Sequence, residues 1–372
     1  MLVVSATLAA LAIVFGLVTP REVPRLFDLR LLSLFVVLIV AVECAKRSRL
    51  FDWLVARVLL RVRSERALAA SAILLTGFVS ALVTNDVALL LVVPFTLAFE
   101  ANAPSFDAAP VVVLEILAAN LLGCVTPFGN PQNLFLFTRG AFTAASFFRA
   151  QVPLAAGMAA LLLLAVFFVV PKRALPPPPE ATFRVKKRLA FAAKFLLALQ
   201  VAALFGLAPN VAPLVAAVPI ALLLGRGLLS TDFSLVGVFS ALFVVVEALR
   251  RSAFFAAVDP VSRFGASPAG FLLSGALLSQ GISNVPAAIL LAPSAAAAGG
   301  LGGFVGLLYG VSAGGSGTPI ASLANLIGAD LFLRGRRHAA RRFWGLFLAL
   351  SFTFLILGTG LAAILLPYAT RP

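Results

Sequence analysis

The chain has 372 residues, of which 62% are hydrophobic and 12% are charged, and its mean hydropathy is +1.09. A soluble globular core does not need so much apolar sequence, so these values exclude a soluble domain and predict an integral membrane protein. The net charge of +15 does not indicate nucleic-acid binding, because the basic residues lie between apolar segments and do not form one face.

The first elements are apolar segments that approach the roughly 20 residues a membrane-spanning helix needs, at residues 2–19 and 29–45. Residues 2–19 lack a basic start and a clear cleavage site, so we interpret them as a span and not as a signal peptide. Residues 50–64 carry arginines among leucine and valine, which predicts an interfacial helix.

A stretch that is polar at its middle follows at residues 66–100, where Thr84-Asn85-Asp86 separates two arms of about 15 residues. Each arm is short for a full crossing, which predicts a re-entrant helical hairpin whose tip faces a cavity. Residues 107–139 are interrupted by Thr126-Pro127-Phe128-Gly129-Asn130-Pro131-Gln132-Asn133-Leu134, which predicts a broken span. Asn130-Pro131 is expected to restart the helix as its N-cap and first residue.

The second half of the chain resembles the first in its order of elements. Further spans are predicted at residues 150–170, 188–206, 210–225 and 232–249. A second hairpin at 267–299 has Ser283-Asn284-Val285 at its tip, and a second broken span at 301–334 restarts at Thr318-Pro319. A last span follows at 341–366. We assign residues 1–170 to a first repeat, 171–187 to a proline-rich cytoplasmic linker and 188–372 to a second repeat.

Three pairs of landmarks show that the chain is duplicated. Asn85 and Asn284 lie 199 residues apart, the two Thr-Pro pairs lie 192 residues apart, and Glu43 and Glu247 lie 204 residues apart. A period near 200 residues is too long for a solenoid. In a membrane chain it indicates the two halves of a secondary transporter.

The distribution of basic residues predicts the orientation. With each hairpin counted as returning to its own side, the chain has about nine spans, and nineteen Lys and Arg residues fall on one side against nine on the other. The richer side is expected in the cytoplasm of a plasma (inner) membrane protein, with the N-terminus inside and the C-terminus outside. An odd number of steps separates the two copies, so the repeats are predicted to be inverted.

Fourteen residues at the tips and breaks form the candidate site. Broken helices expose backbone N–H groups that attract anions and carbonyl groups that attract cations. The predicted substrate- and ion-binding residues are Thr84, Asn85, Asp86, Thr126, Gly129, Asn130, Asn133, Ser283, Asn284, Ser316, Gly317, Thr318, Ser322 and Asn325. The alternative is that these side chains only cap helix ends.

Asp86 is the candidate for cation or proton coupling, because it is the only acidic residue at either tip and Val285 takes its place in the other repeat. No catalytic residue and no resident metal is predicted. Na⁺ or H⁺ is the expected coupling ion, with Asn85 and Asn284 as the residues for Na⁺. Glu43 and Glu247 lie beside basic residues at span ends, which favours interfacial salt bridges.

The strings at the first tip and first break resemble the ion transporter superfamily, which includes arsenite efflux permeases, sodium/proton antiporters, and citrate or dicarboxylate symporters. The resemblance covers nearly the whole chain. It implies inverted repeats with sites at hairpin tips and helix breaks, and a homodimer as partner state. By this likeness Thr84, Asn85, Asn130, Ser283, Asn284 and Thr318 lead the site, and Asn-Asp at the first tip looks more like the arsenite permease branch.

These observations predict an alternating-access secondary transporter of a small anion or oxyacid, coupled to H⁺ or Na⁺, with the lipid bilayer as its other partner. A cation/proton antiporter centred on Asp86 is the alternative transporter. An intramembrane enzyme is the alternative of another class, because Gly314-Gly315-Ser316-Gly317 matches an intramembrane serine protease motif. That chemistry requires a base, and His338 lies in a charged loop, so we do not expect an enzyme.

Overall fold

A computed structural model describes residues 2–371 except 60, 104, 141, 177–182, 254 and 256–262, and the described residues are predominantly α-helical. The α-helices, numbered along the chain, are α1 (Leu2–Val14), α2 (Val23–Leu26), α3 (Leu29–Ser48), α4 (Leu50–Leu59), α5 (Glu65–Leu82), α6 (Asn85–Asn102), α7 (Ala108–Leu121), α8 (Pro131–Arg139), α9 (Ala144–Val169), α10 (Lys187–Leu204), α11 (Ala212–Leu224), α12 (Ser234–Arg250), α13 (Pro268–Ile282), α14 (Asn284–Gly314), α15 (Leu323–Leu333) and α16 (Ala340–Ala369). The predicted all-α membrane fold is confirmed. The predicted linker at 171–187 includes residues 177–182, which lie outside the described residues.

Six stretches in the described part of the chain are long and apolar enough to cross a membrane: Glu65–Leu82, Asn85–Asn102, Ala108–Val125, Ala144–Val169, Ala212–Ser230 and Arg337–Ala369. Shorter apolar helices include Leu2–Val14, Pro268–Ile282 and Leu323–Leu333. The orientation of the spans and the inversion of the repeats stay predictions.

One compact unit is formed by Met1–Trp53 and Phe183–Asp259. In it α3 packs on α10 and α11, and α1 packs on α12. Asp28 starts α3 by accepting a hydrogen bond from the Leu31 amide at 3.0 Å. The buried Gln200 side chain of α10 donates to the Leu34 carbonyl of α3 at 2.9 Å, and its side-chain oxygen has no partner among the described residues.

Salt bridges in this unit connect the end of α12 to the loop after α1. Glu247 pairs with Arg250 at 2.9 Å and with Arg251 at 2.6 Å, and Arg251 also pairs with Glu22 at 3.1 Å. The Arg251 guanidinium and hydrogen bonds from Thr19 lower the pKa of Glu22 to about 2. Glu43 likewise pairs with Arg47 at 2.6 Å, so both glutamates make the salt bridges to neighbouring basic residues that the sequence predicts.

The other compact unit is formed by Leu54–Thr182 and Pro260–Pro372, and it contains both hairpins and both broken helices. Its core is α7, a helix whose 14 residues are all buried. The helices α5, α6, α9, α14, α15 and α16 pack against it. A helix surrounded on every side can be apolar all round, and α7 carries the polar residues Glu115 and Asn120 within that sequence.

The first hairpin consists of α5 and α6, with its tip at Val83 and Thr84. Ser64 starts α5 by accepting from the Ala67 amide at 3.3 Å, which satisfies one of the free N–H groups of the first turn. Both arms have 18 residues. Both are longer than the arms of about 15 residues predicted above. The second arm, α6, continues through Pro94 to Asn102. By length and composition each arm qualifies as a spanning helix.

The second hairpin consists of α13 and the first part of α14, with its tip at Ser283. Ser267 caps α13, and Pro268 follows in the first turn. Helix α14 is kinked at Gly300, where φ is 51° and ψ is −131°. This kink ends the hairpin arm close to the predicted boundary at residue 299, and the remainder of α14 becomes the first half of the second broken helix.

The two breaks restart differently. In the first, α7 ends at Leu121, a 3-10 turn covers Gly123–Val125, and α8 begins at Pro131 after Asn130, as predicted. In the second, Thr318-Pro319 starts only the 3-10 turn Pro319–Ala321, and α15 begins at Leu323 after Ser322. The prediction that Thr318 starts the second helix is therefore wrong, because extended backbone at Ser322 interrupts the chain once more.

Candidate ion and substrate site at the helix breaks

One buried side chain joins both halves of the candidate site. The Asn120 oxygen accepts from the Asn85 amide at 3.0 Å and from the Ser322 hydroxyl at 2.8 Å. The Asn120 amide nitrogen donates to the Asn325 oxygen at 2.9 Å. Asn85 belongs to the first hairpin, whereas Ser322 and Asn325 belong to the second break, so Asn120 brings residues of both repeats into one network.

The first break is held against the first hairpin. The Thr126 hydroxyl donates to the Ala81 carbonyl near the end of α5, and it accepts from the Gly129 amide at 3.2 Å. The Gly129 carbonyl in turn accepts from the backbone amide of Asn85 at 2.9 Å. The loop of the first break therefore bonds both arms of the hairpin, through Thr126 to the end of α5 and through Gly129 to the start of α6. These bonds hold the start of α6 beside the break.

The second break repeats this arrangement at equivalent residues. The Thr318 hydroxyl donates to the Gln280 carbonyl at 2.8 Å, and Gln280 lies 199 residues after Ala81. The Asn325 amide donates to the Thr318 carbonyl at 3.1 Å, as the Asn133 amide reaches toward the Thr126 carbonyl at 3.5 Å in the first break. The sequence duplication is therefore also a duplication of contacts.

The first break allows no larger residue at Gly129. A Cβ atom there would lie 1.9 Å from the Gly123 carbonyl oxygen, far inside van der Waals contact. At Gly123 itself, a Cβ would lie 2.0 Å from the Ser80 hydroxyl oxygen. Gly129 is required because two backbone segments approach each other closely there, and Gly123 leaves room for the Ser80 side chain.

In the second break, glycine is needed for different structural reasons. Gly317 has a φ of 103°, a conformation that glycine adopts without strain, and its amide donates to the Ser351 hydroxyl of α16 at 2.7 Å. A Cβ at Gly315 would lie 3.1 Å from the Asn284 amide nitrogen and 3.6 Å from Cγ of Asn120. The tip of the second hairpin therefore also lies beside the Asn120 network.

Several buried polar atoms at the breaks have no hydrogen-bond partner among the described residues. They include the side-chain oxygens of Asn130, Asn133 and Ser316 and both polar atoms of Gln132. The Asn130 amide nitrogen donates to the Asn120 carbonyl at 2.9 Å, and the Asn133 amide nitrogen donates to the Cys124 carbonyl at 3.0 Å, so each side-chain oxygen is turned away from that bond. Such unsatisfied acceptors are suited to a cation or to the hydroxyl group of a ligand.

The hairpin tips differ chemically. Thr84 is buried and starts α6 without a side-chain capping bond. Asp86 follows in the first turn, half-buried, and one of its carboxylate oxygens is buried without a partner in the described part of the chain. At the second tip, the Ser283 hydroxyl approaches the Ala321 carbonyl at 3.3 Å, and its φ is 75°. Only the first tip therefore offers a carboxylate.

Sequence reasoning missed two residues that organise the site, Asn120 and Gln280. The Gln280 side chain accepts from the Thr318 amide at 2.9 Å and donates to the Gly314 and Ser316 carbonyls at 3.0 and 3.1 Å. Its repeat counterpart is Ala81, and the counterpart of Asn120 is Ser312, so the comparison of repeats does not reveal either. A lone amide in an otherwise apolar buried helix was the available signal for Asn120.

Other buried polar side chains make hydrogen bonds outside the Asn120 network. Glu115 is fully buried on α7 and accepts from the Thr96 hydroxyl of α6 at 2.5 Å. Cys44 and Cys124 are buried free thiols. Among the described residues no group of three His, Cys, Asp or Glu side chains is arranged to hold a metal ion.

The helical membrane fold, with its two hairpins and two broken helices around a buried polar network, is the architecture of a membrane transporter. The sequence model of the citrate transporter family, CitMHS, matches residues 1–307, and the chain belongs to that family.

Similar proteins extend over most of the chain. The inner membrane protein YbiR of Escherichia coli is 32% identical over 349 residues, which are 91% of this chain and 87% of that protein. The uncharacterized transporter MJ0456 of Methanocaldococcus jannaschii is 28% identical over 328 residues, 86% of each chain. The silicon efflux transporter LSI3 of Oryza sativa is 31% identical over 153 residues, 40% of this chain and 31% of that protein. The family is one of transporters and not of enzymes, and MJ0456 and LSI3 are both named as transporters.

Proposed function

We propose that the protein is a secondary active transporter of a small anion or oxyacid, works by alternating access and is coupled to H⁺ or Na⁺. The observation that carries this proposal is the network around Asn120, which joins the first hairpin tip to the second break. A ligand bound beside this network contacts elements of both repeats, so its binding can depend on how both are arranged.

The chemistry of the site favours a small oxyacid with hydroxyl groups. The side chains of Asn85, Ser283 and Thr318 bond amide and carbonyl groups and not lysine or arginine, which favours a neutral oxyacid over the three carboxylates of citrate. The unpartnered oxygens of Asn130 and Asn133 need donors, which a protonated oxyacid supplies and a fully ionised anion does not. The name of the relative LSI3 supports silicic acid as a test substrate beside citrate and arsenite.

Uptake into proteoliposomes tests the proposal. Silicic acid, arsenite and citrate are offered with an imposed pH gradient, an imposed Na⁺ gradient or neither. We expect accumulation of one substrate only under one of the gradients. Equal flux with and without gradients would contradict a coupled carrier and indicate a channel.

Variants at the tips localise the site. Asn85→Ala and Asn284→Ala each remove a buried amide, so each should weaken substrate binding by about 1–3 kcal/mol, roughly 5- to 150-fold. Asn102→Ala is the matched control, because Asn102 is exposed at the end of α6 and its side chain bonds the Ala98 carbonyl of its own helix. Wild-type transport in an Asn85→Ala/Asn284→Ala double variant would exclude the tips from the site.

Asp86 is the proposed coupling residue, since it is the acidic group at the tips and one of its oxygens is buried without a partner in the described residues. Asp86→Asn keeps the shape but removes the proton equilibrium. We expect this variant to exchange substrate across the membrane and to lose accumulation against a concentration gradient. Accumulation equal to wild type would show that coupling does not depend on Asp86.

A cation/proton antiporter is the second candidate. It is favoured by the same carboxylate, together with the unpartnered side-chain oxygens of Asn130 and Asn133, which suit Na⁺. In this case a pH gradient drives Na⁺ movement with no oxyacid present, and the substrate arms of the uptake experiment show no accumulation. A homodimer and an inner-membrane location with a cytoplasmic N-terminus remain part of the proposal.

A further inference from the structure

A large cavity lies in the unit that contains both hairpins. It is located at the start of α7, whereas the Asn120 network lies at the end of that helix. It has a volume of about 1040 Å³ and is bounded by the end of α9, the start of α7 and the beginning of α16. Its charged lining consists of Arg173, His338, Arg341, Arg342 and Asp107, and its apolar lining includes Val169 and Leu346. None of the candidate transport residues lines it.

Positive charge exceeds negative charge in this cavity. Arg342 forms an ion pair with Asp107, which also caps α7 by accepting from the Ala109 amide at 3.1 Å. Arg341 has no carboxylate partner among the described residues. Even with Glu65, whose buried carboxyl lies within electrostatic range of Arg173, three guanidinium groups face two carboxyl groups.

The position of Arg173 is fixed by the backbone. Its carbonyl accepts from the Glu65 amide at 3.0 Å, beside the bridge between Ser64 and Ala174. Its guanidinium donates to the Ser105 carbonyl at 3.2 Å, which leaves its other N–H groups available to the cavity. The basic groups therefore come from two separate segments, one that follows α9 and one that leads into α16.

A neighbouring cavity of about 500 Å³ provides a contrast. It shares Asp107, His338 and Arg342 with the first, but it also contains the pair of Glu100 and Arg336, 2.5 Å apart. Its carboxylates balance its guanidinium groups. The excess of positive charge therefore belongs to the larger cavity.

The larger cavity opens where two apolar helices reach their charged ends. Phe168, next to Val169 in α9, is 83% exposed, and Leu348 and Phe352 in α16 are 38% and 40% exposed. In a membrane protein such exposed apolar side chains face acyl chains. This end of the unit is also the end that the arginine distribution predicts to be cytoplasmic, where anionic lipids are concentrated.

We propose that this cavity binds the phosphate of an anionic phospholipid headgroup. The guanidinium groups of Arg341 and Arg173 hold the phosphate oxygens, since the guanidinium fork matches phosphate geometry. The acyl chains lie along the exposed apolar residues of α9 and α16. Because Arg173 follows α9 and Arg341 begins α16, a bound phosphate links the ends of these two helices, which pack on each other.

Tryptophan fluorescence tests the proposal, because Trp344 lies on α16 beside the cavity residues and the chain has only two tryptophans. In a Trp53→Phe background Trp344 is the single emitter. The protein is reconstituted in mixtures of phosphatidylcholine and phosphatidylglycerol in which one lipid carries brominated acyl chains. We expect brominated phosphatidylglycerol to quench Trp344 in preference to brominated phosphatidylcholine.

The variant Arg341→Gln should reduce that preference about fivefold, the change expected for removing one basic residue from an anionic lipid site. Arg337→Gln is the matched control, since Arg337 is an exposed arginine four residues before Arg341 and does not line the cavity. Thermal melting of each variant checks that both remain folded. Equal losses for Arg341→Gln and Arg337→Gln would overturn the site in favour of general surface attraction.

Two further outcomes are decisive. Absence of any preference in the Trp53→Phe protein overturns the proposal directly. A preference that disappears in inorganic phosphate, and persists in sodium chloride of equal ionic strength, overturns the lipid assignment and identifies free phosphate as the ligand of the same arginines.

Discussion

Replacing Asn120 by alanine tests the candidate site most directly, because this one side chain bonds three others. Asn120→Ala removes the partner of the Asn85 amide, the Ser322 hydroxyl and the Asn325 oxygen, all of which are buried. Each buried group left unpaired costs about 1–3 kcal/mol, so the three together amount to about 3–9 kcal/mol before any of them finds a new partner. We expect the variant to melt at a lower temperature and to lose transport.

A double-mutant cycle separates this effect from general destabilisation. Stability is measured by thermal melting in detergent for Asn85→Ala, Asn120→Ala and the double variant, and transport by uptake into proteoliposomes. Since the two side chains are 3.0 Å apart, their effects should be non-additive by about 0.5–3 kcal/mol. A cycle of Asn120→Ala with the distant Asn102→Ala should be additive. Additive effects in the Asn85 cycle, or wild-type melting of Asn120→Ala, would refute the network.

Three other predictions follow from single features. Gly129→Ala should leave little folded protein, because its Cβ would lie 1.9 Å from a carbonyl oxygen, whereas Gly360→Ala, with open space around it, should fold and melt as wild type or slightly higher; expression and melting measure both. Glu22 has a pKa lowered to about 2, so its stabilising contribution is fully present above its unfolded pKa of about 4.3 and is lost as the pH falls toward 2; Glu22→Gln should therefore lower the melting temperature at pH 6 and have little effect near pH 2. A cysteine at Ser105 should be protected from an impermeant thiol reagent in intact cells and one at Ala266 should react, and the reverse labelling would refute the predicted orientation.

The duplicated contacts were predictable because they depend on identical residues. Thr126 and Thr318 each precede an asparagine by seven residues, and the structure gives both the same hydrogen bond to the first arm of a hairpin. The order of helices and the position of the first break were predictable for a similar reason. Hydrophobic length defines a span, and Asn-Pro defines a helix start.

The central role of Asn120 was not predictable from the repeats, because the two repeats have different residues at that position. Asn120 is equivalent to Ser312, and a serine is too short to reach three partners. The second helix start was mispredicted because Thr318-Pro319 satisfies the same local preferences as Asn130-Pro131. What distinguishes them is the tertiary contact of Ser322 with Asn120, which the local sequence does not contain.

The backbone conformation of Ser283 makes the two hairpin tips unequal in backbone strain. Its φ of 75° and ψ of 154° lie in a region used almost only by glycine, at a cost of about 1–3 kcal/mol, whereas Thr84 at the first tip has an ordinary extended φ of −159°. A movement that frees Ser283 releases that energy, and the same movement of the first tip releases none. In a carrier built on these two tips, the empty protein favours one orientation, by tenfold for each 1.4 kcal/mol. The apparent substrate affinities measured from the two sides of the membrane then differ, although no net transport results without a gradient.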